Sequence, residues 1–155
     1  AAEKGNGAIV KLLLDTCQVD VNSASYRGRS PLSAAAGGGH EAVVKLLIET
    51  GRVDVNLKDN RGRTPLWYAA SRPNNGSVVQ LLLSTSQVEV NGRDTSGLTP
   101  LLCAASEGNA SILKLLIEKG QADVNSKDNE RRTALWWAAS RHHGKAVVQL
   151  LLDTG

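Results

Sequence analysis

The stretch Arg63-Thr64-Pro65-Leu66-Trp67-Tyr68-Ala69-Ala70 decides the architecture, because the chain writes nearly the same words four times. The other copies are Arg29-Ser30-Pro31-Leu32-Ser33-Ala34-Ala35-Ala36, Leu98-Thr99-Pro100-Leu101-Leu102-Cys103-Ala104-Ala105 and Arg132-Thr133-Ala134-Leu135-Trp136-Trp137-Ala138-Ala139. From Ser30 to Thr64, to Thr99 and to Thr133 the motif advances by a nearly constant step of roughly 34 residues, inside the range of repeat architectures. A fixed period of that size signals a stacked array in which each unit buries its apolar face against its neighbours, so the core is a strip.

Two further motifs keep step. Val10-Lys11-Leu12-Leu13-Leu14 returns as Val44-Lys45-Leu46-Leu47-Ile48, Val79-Gln80-Leu81-Leu82-Leu83, Leu113-Lys114-Leu115-Leu116-Ile117 and Val148-Gln149-Leu150-Leu151-Leu152. Apolar over most of its circumference, this segment predicts a helix packed on both flanks. The pairs Val21-Asn22, Val55-Asn56, Val90-Asn91 and Val124-Asn125 precede short polar, turn-rich segments. Ser30, Thr64, Thr99 and Thr133 are expected N-caps, with Pro31, Pro65 and Pro100 at the first helical position. Gly51, Gly120 and Gly155 are expected to end the Leu-rich helices in the left-handed conformation, with Cys17 and Ser86 strained in that slot. Gly28, Gly62 and Gly97 mark projecting β-turns or hairpins, and Arg131 stands where a fourth glycine would fit.

These motifs together resemble the ankyrin-repeat family over essentially the whole chain. The resemblance implies an all-α solenoid of helix-turn-helix units, divided as 1–22 (a partial leading repeat), 23–56, 57–91, 92–125 and a final repeat at 126–155. It also implies a concave groove of turns and inner helices that binds partners. The units run longer than the family's usual length of about 33 residues. The family's usual histidine after Thr-Pro-Leu is Ser33, Trp67, Leu102 and Trp136 here, so packing is expected to replace its hydrogen bonds. The Val-Asp-Val-Asn link and the Leu-Trp-Tyr-Ala-Ala core are similar to arrays of filamentous fungi. A longer period, spanning two units, relates Leu12 to Leu81, Leu46 to Leu115 and Leu81 to Leu150, as though the units had been duplicated in pairs.

Composition narrows the function classes. No apolar run approaches the ~20 residues of a membrane-spanning helix. The chain has no methionine and no signal-peptide pattern, so it is expected to be an excerpt of a longer intracellular protein, cytoplasmic or nuclear. Cys17 and Cys103 fall in distant units, which suits a reducing compartment. No catalytic or metal-ligating spacing stands out, and neither a cofactor nor an enzymatic activity is expected. His142-His143 reads as a solvated turn and His40 as a structural turn residue. Cys103 reads as packing, and Tyr68 and Trp137 as mainly core.

Charge is more informative. The segments 23–29, 57–63, 92–98 and 126–132 carry nine positive and four negative side chains, while the whole chain is only +3. Arg29, Arg63 and Arg132 are expected to line the groove about 10 Å apart, with Leu98 interrupting the column. Arg72 and Arg141 would add a second column, with Arg27 and Arg61 in the turns and Tyr26 and Leu98 exposed at the tips. The expected function is therefore a non-catalytic protein-binding scaffold whose groove takes acidic or phosphorylated segments. A structural spacer or self-assembling segment is the alternative. Nucleic acid is disfavoured by the modest charge, and Trp67 and Trp136 are expected to pack between repeats. Replacing Arg29, Arg63 and Arg132 by glutamate is expected to leave stability nearly unchanged. Apolar residues at the two ends, Ile9, Leu13, Val147 and Leu151, are expected to be exposed and to drive end-to-end association.

Overall fold

The computed structural model describes residues 1–16, 18–140 and 144–154. Cys17, Arg141, His142, His143 and Gly155 lie outside these, and with them the readings made for those residues. Among the described residues there are nine α-helices and no strands. They form two rows. The inner row comprises α2 (Pro31–Gly38), α4 (Pro65–Ala70), α6 (Pro100–Ser106) and α8 (Ala134–Ala139). The outer row comprises α1 (Gly7–Asp15), α3 (Glu41–Glu49), α5 (Gly76–Leu83), α7 (Ala110–Glu118) and α9 (Lys145–Thr154). A single 3-10 turn, Ala2–Lys4, packs on α2 in the place of a preceding inner helix. Each helix meets its counterparts in adjacent units and its own partner across the layer, so contacts pass from neighbour to neighbour.

Local chemistry explains why the inner helices start where they do. The hydroxyls of Ser30, Thr64, Thr99 and Thr133 accept hydrogen bonds from the amides of Ser33, Trp67, Leu102 and Trp136, at 3.1, 3.2, 3.2 and 3.4 Å. Leu32, Leu66 and Leu101, and the alanine pairs Ala35-Ala36, Ala69-Ala70 and Ala104-Ala105, are wholly buried. The small side chains let inner helices approach closely. Val43, Val44, Val78, Val79, Ile112 and Leu113 fill the space beneath them from the outer row. Asn75 and Asn109 cap the layer by donating from Nδ2 to the carbonyls of Ala36 and Ala70 in the preceding inner helices, at 2.9 and 3.2 Å. His40 serves the same position, its Nε2 3.1 Å from the Glu3 carbonyl.

Each projecting segment is a tight turn closed across five residues, as in Asp59 N–H to Arg63 O at 3.1 Å. Its fourth residue is left-handed: Gly28, Gly62, Gly97 and Arg131, with φ of 76, 73, 78 and 64°. Turns are also joined to one another. The Asn60 amide donates to Arg27 O at 3.0 Å, Thr95 to Arg61 O at 2.8 Å, and Asn129 to Ser96 O at 3.1 Å. A Cβ on Gly28 would stand 2.7 Å from the Asn60 nitrogen, so both the conformation and the stacking demand glycine there.

Several expectations need correction. Gly51 is left-handed (φ 65°), but Gly120 is not; the positive φ falls on Gln121, at 53°. Gly120 is required for space instead, since a Cβ would lie 2.7 Å from Leu116 O. Ser86 carries no positive φ. Ser33 keeps a hydrogen bond in place of the histidine, its hydroxyl 3.1 Å from that of Ser30. At the C-terminal end, Val147 is buried and Leu151 half-buried, because the last outer helix packs on α7 and α8. The exposed apolar groups there are Leu135, Trp136 and Leu152, so Trp136 does not pack between repeats. Its counterpart Trp67 is half-buried.

Arg131 holds its left-handed conformation against its own Cβ. Arg131→Gly is expected to stabilise the fold by about 1 kcal/mol, measured as a higher urea midpoint at unchanged slope.

Candidate groove and its buried carboxylates

Turns and inner helices place most of the sequence-predicted groove residues on one face, but they do not leave all the arginines free. Asp59 sits at the start of its turn with its side chain completely buried. One oxygen accepts the amides of Arg61 and Arg63 at 2.8 and 2.9 Å. The other accepts Arg63 Nε at 2.9 Å, Arg63 Nη2 at 2.6 Å and the Tyr68 hydroxyl at 2.7 Å. One carboxylate thus shapes the turn, holds the arginine and ties both to the inner helix. The arrangement recurs two units later. Asp128 accepts the amides of Glu130 and Arg132 at 3.0 and 2.9 Å, Arg132 Nε at 2.7 Å and Trp137 Nε1 at 3.1 Å.

The electrostatics agree with this geometry. Burial alone pushes the Asp59 carboxyl up, but the Arg63 side chain and amide and the Tyr68 hydroxyl outweigh it and hold it below the usual carboxylate range. Asp128 behaves likewise, with burial overcome by the amide and guanidinium of Arg132. Burial and the bond to Asp59 raise the Tyr68 phenol. Tyr68 and Trp137 are therefore not plain core residues; each half-buried ring reaches a carboxylate with its polar end.

Units one and three lack this device. At the aspartate position unit one has Ser25, whose hydroxyl accepts the Arg29 amide at 3.2 Å. Unit three keeps Asp94, which accepts the amides of Ser96 and Leu98 but meets a leucine where the arginine would be. Leu98 packs against the core instead of standing out at the tip. Arg29 lies with its guanidinium carbon 4.6 Å from the centre of the Tyr68 ring, and Arg63 lies 4.8 Å from the same ring. The outer partner of Arg29 is the exposed Glu3, at 3.3 Å, while its Nη2 donates to the carbonyls of Ser33 and Ala34.

Tyr26 is 83% exposed, with the Arg27 guanidinium 5.1 Å from its ring centre. Arg27, Arg61 and Arg72 are exposed and, among the described residues, have no ion pair. Two of the clefts on this face are lined by the groove residues and inner-helix aromatics. One of about 510 Å³ is lined by Glu3, Tyr26, Arg27, Arg29, Arg63 and Tyr68. The other, of about 360 Å³, is lined by Arg29, Arg63, Trp67, Tyr68, Arg72 and Glu107. Cys103 is buried within the inner row, and burial pushes its thiol far above the range in which a thiolate forms at neutral pH.

The expectation that Arg63 and Arg132 can be reversed at little cost is overturned: glutamate at either position would face a fully buried carboxylate with no cation to neutralise it. The signal is present in the sequence as Asp59 and Asp128, each four residues before its arginine and nine before the aromatic.

A family model described as ankyrin repeats (3 copies) matches residues 1–94 and again 73–155. The chain therefore belongs to the ankyrin-repeat family, whose arrays generally serve as protein–protein interaction modules. No curated protein matches the chain. No helix among the described residues is long and apolar enough to cross a membrane.

The buried carboxylates make acid stability a readout of the locks. Both have folded pKa values below the ordinary 3.8, so their contribution is complete above that pH and is lost as pH falls through the lower folded values. Asp59→Asn is expected to cost about 3 kcal/mol at neutral pH, with the deficit shrinking in acid below the unfolded pKa. Urea unfolding followed across pH checks both the size and the convergence.

Proposed function

We propose that this array is a rigid binding module for acidic or phosphorylated segments of a protein partner, held in the N-terminal half of the concave face. The observation that carries the reading is the occupant of the larger cleft. A carboxylate, that of Glu3, is already seated on Arg29 there, 3.3 Å away, with Tyr26, Arg27 and Arg63 around it. A partner's acidic side chain has the same chemistry and can take Glu3's place. The free charge for such a segment comes from Arg27, Arg61 and Arg72, since Arg63 and Arg132 are committed to Asp59 and Asp128. A prebuilt groove avoids most of the ordering cost of binding. A cytoplasmic or nuclear setting goes with this reading. The likeness to arrays of filamentous fungi makes receptors that carry such arrays beside a nucleotide-binding switch domain the kind of parent protein to look for.

A second reading, self-assembly without a dedicated ligand, is favoured by the apolar ends. Ile9, Leu12 and Leu13 are exposed at one end of the stack, and Leu135, Trp136 and Leu152 at the other. The two ends differ, so contact between one end and the other would be head-to-tail, giving a filament or a ring according to the rotation between copies.

Fluorescence anisotropy with glutamate-rich and phosphoserine-containing peptides separates these readings. The acidic peptides are expected to bind in a salt-dependent manner while neutral peptides of equal length do not. Replacing Arg27, Arg61 and Arg72 together by alanine should weaken binding by about tenfold or more at unchanged melting temperature. Glu3→Gln should tighten it by up to about fivefold, the scale of an exposed ion pair. Equal binding of acidic and neutral peptides would remove the groove reading. For self-assembly, light scattering is expected to show mass rising with concentration, reversed by Trp136→Lys with Leu12→Lys; a constant monomer mass would exclude it.

A further inference from the structure

The chain contains three Asn-Gly pairs, at Asn6-Gly7, Asn75-Gly76 and Asn91-Gly92. Such pairs can lose the side-chain amide without an enzyme, because glycine presents no Cβ to obstruct attack by its own backbone nitrogen on the asparagine Cγ. The reaction needs a glycine amide that is not locked into a helix, an asparagine that water can reach and a side-chain amide free to leave. The fold meets these needs unequally.

Asn6 is the N-cap of α1. Its Oδ1 accepts the Ile9 amide at 3.1 Å, and Gly7, the first helical residue, donates to Gly5 O at 2.9 Å. Asn75 is only 5% exposed and donates from Nδ2 to Ala36 O at 2.9 Å, and Gly76 opens α5. Asn91 is exposed, as Asn6 is, but it lies in the turn after α5, outside any helix, and the amide of Gly92, itself buried, makes only a 3.3 Å bond to Glu89 O. Its side chain is also held less firmly than its counterparts in the other units. Asn22 and Asn56 each bridge to the next unit twice: Oδ1 accepts the amides of Asp54 and Glu89, and Nδ2 donates to the carbonyls of Arg52 and Gln87. Asn91 makes the first bridge, to the Asp123 amide at 3.0 Å. The second has no counterpart among the described residues, and Gln121, which stands where Arg52 and Gln87 do, is left-handed.

We propose that Asn91 is a spontaneous deamidation site that loosens the contact between the last two links of the array. The Gly92 nitrogen gives up its proton to hydroxide and bonds to Asn91 Cγ. The bond from Cγ to the side-chain nitrogen breaks and the amide departs as ammonia, leaving a five-membered succinimide. Water opens the ring at either carbonyl, giving aspartate or isoaspartate. One water is consumed and one ammonia released, with no oxidation or reduction. In the isoaspartyl product the main chain runs through the former side chain, so the acceptor that held the Asp123 amide is displaced. The aspartyl product keeps an acceptor but adds a negative charge. The two preceding links carry Ser23 and Leu57 after their asparagines and are spared.

The test is peptide mapping by mass spectrometry of the folded chain held at mildly alkaline pH in heavy-oxygen water, beside the same chain in denaturant. In the folded protein Asn91 is expected to convert several-fold faster than Asn6 or Asn75, whereas in denaturant the three pairs converge. Gly92→Ala should suppress the conversion; its Cβ would meet the Glu89 carboxylate and the methyl of the capping Thr64, each at 3.3 Å, so the melting temperature of the unreacted variant is measured alongside to show that the fold is retained. Conversion of Asn6 or Asn75 as fast as Asn91 in the folded chain, or an unmodified Asn91 while the denatured chain reacts, would overturn the assignment. The isoaspartyl fraction, separated by ion exchange, is expected to melt below the unmodified protein. An identical melting temperature would overturn the claim that the link is loosened.

Discussion

The structure depends on the close approach of neighbouring inner helices. No unit in this chain can cover its own apolar face; each inner helix of six to eight residues is too short to be stable alone. The paired alanines remove the side-chain bulk that would hold the helices apart, and the leucines before them enter the space between rows. Everything else follows from that spacing. Turns can hydrogen-bond to turns only because the helices beneath them lie close, and Asn75 and Asn109 reach a carbonyl of the previous unit for the same reason. The cost of the design appears at the two ends, where the same side chains that are buried inside the stack meet solvent.

On this uniform stack the two-unit period imposes an alternation. Units two and four place an aspartate under the turn and an aromatic with a polar end on the inner helix, so an arginine is clamped between them. Units one and three do not. The consequence is electrostatic. Two of the three column arginines are neutralised from within, whereas Arg27, Arg61 and Arg72 have no ion pair among the described residues. A count of charges along the turns does not show which arginines are already paired with a buried carboxylate. A carboxylate buried under a turn is a framework element, and it changes which positions can be altered without loss of fold.

Much of this is legible in the sequence. Caps, inner-helix prolines, turn glycines and the leucine pattern are local signals whose meaning depends on residues three or four apart, and each lies where its chemistry places it. The expectations that fail share one cause. Whether Gly120 or Gln121 is left-handed, whether Val147 or Leu152 is exposed, and whether Leu98 points in or out depend on what the neighbouring unit supplies. Tyr68 reads as core because its ring is apolar; that its hydroxyl meets Asp59 requires the turn to fold back over the helix.

The sequence by itself therefore determined the repeat, the family, the starts of the inner helices and the excess of positive charge in the turns, because all of these are written in local patterns with a fixed period. Only the tertiary structure decided which arginines are held by buried carboxylates, which carboxylates are buried and which of three chemically identical Asn-Gly pairs lies outside a helix start. Those properties belong to distances between side chains of different segments, and the solvent left between them exists only once the stack is closed.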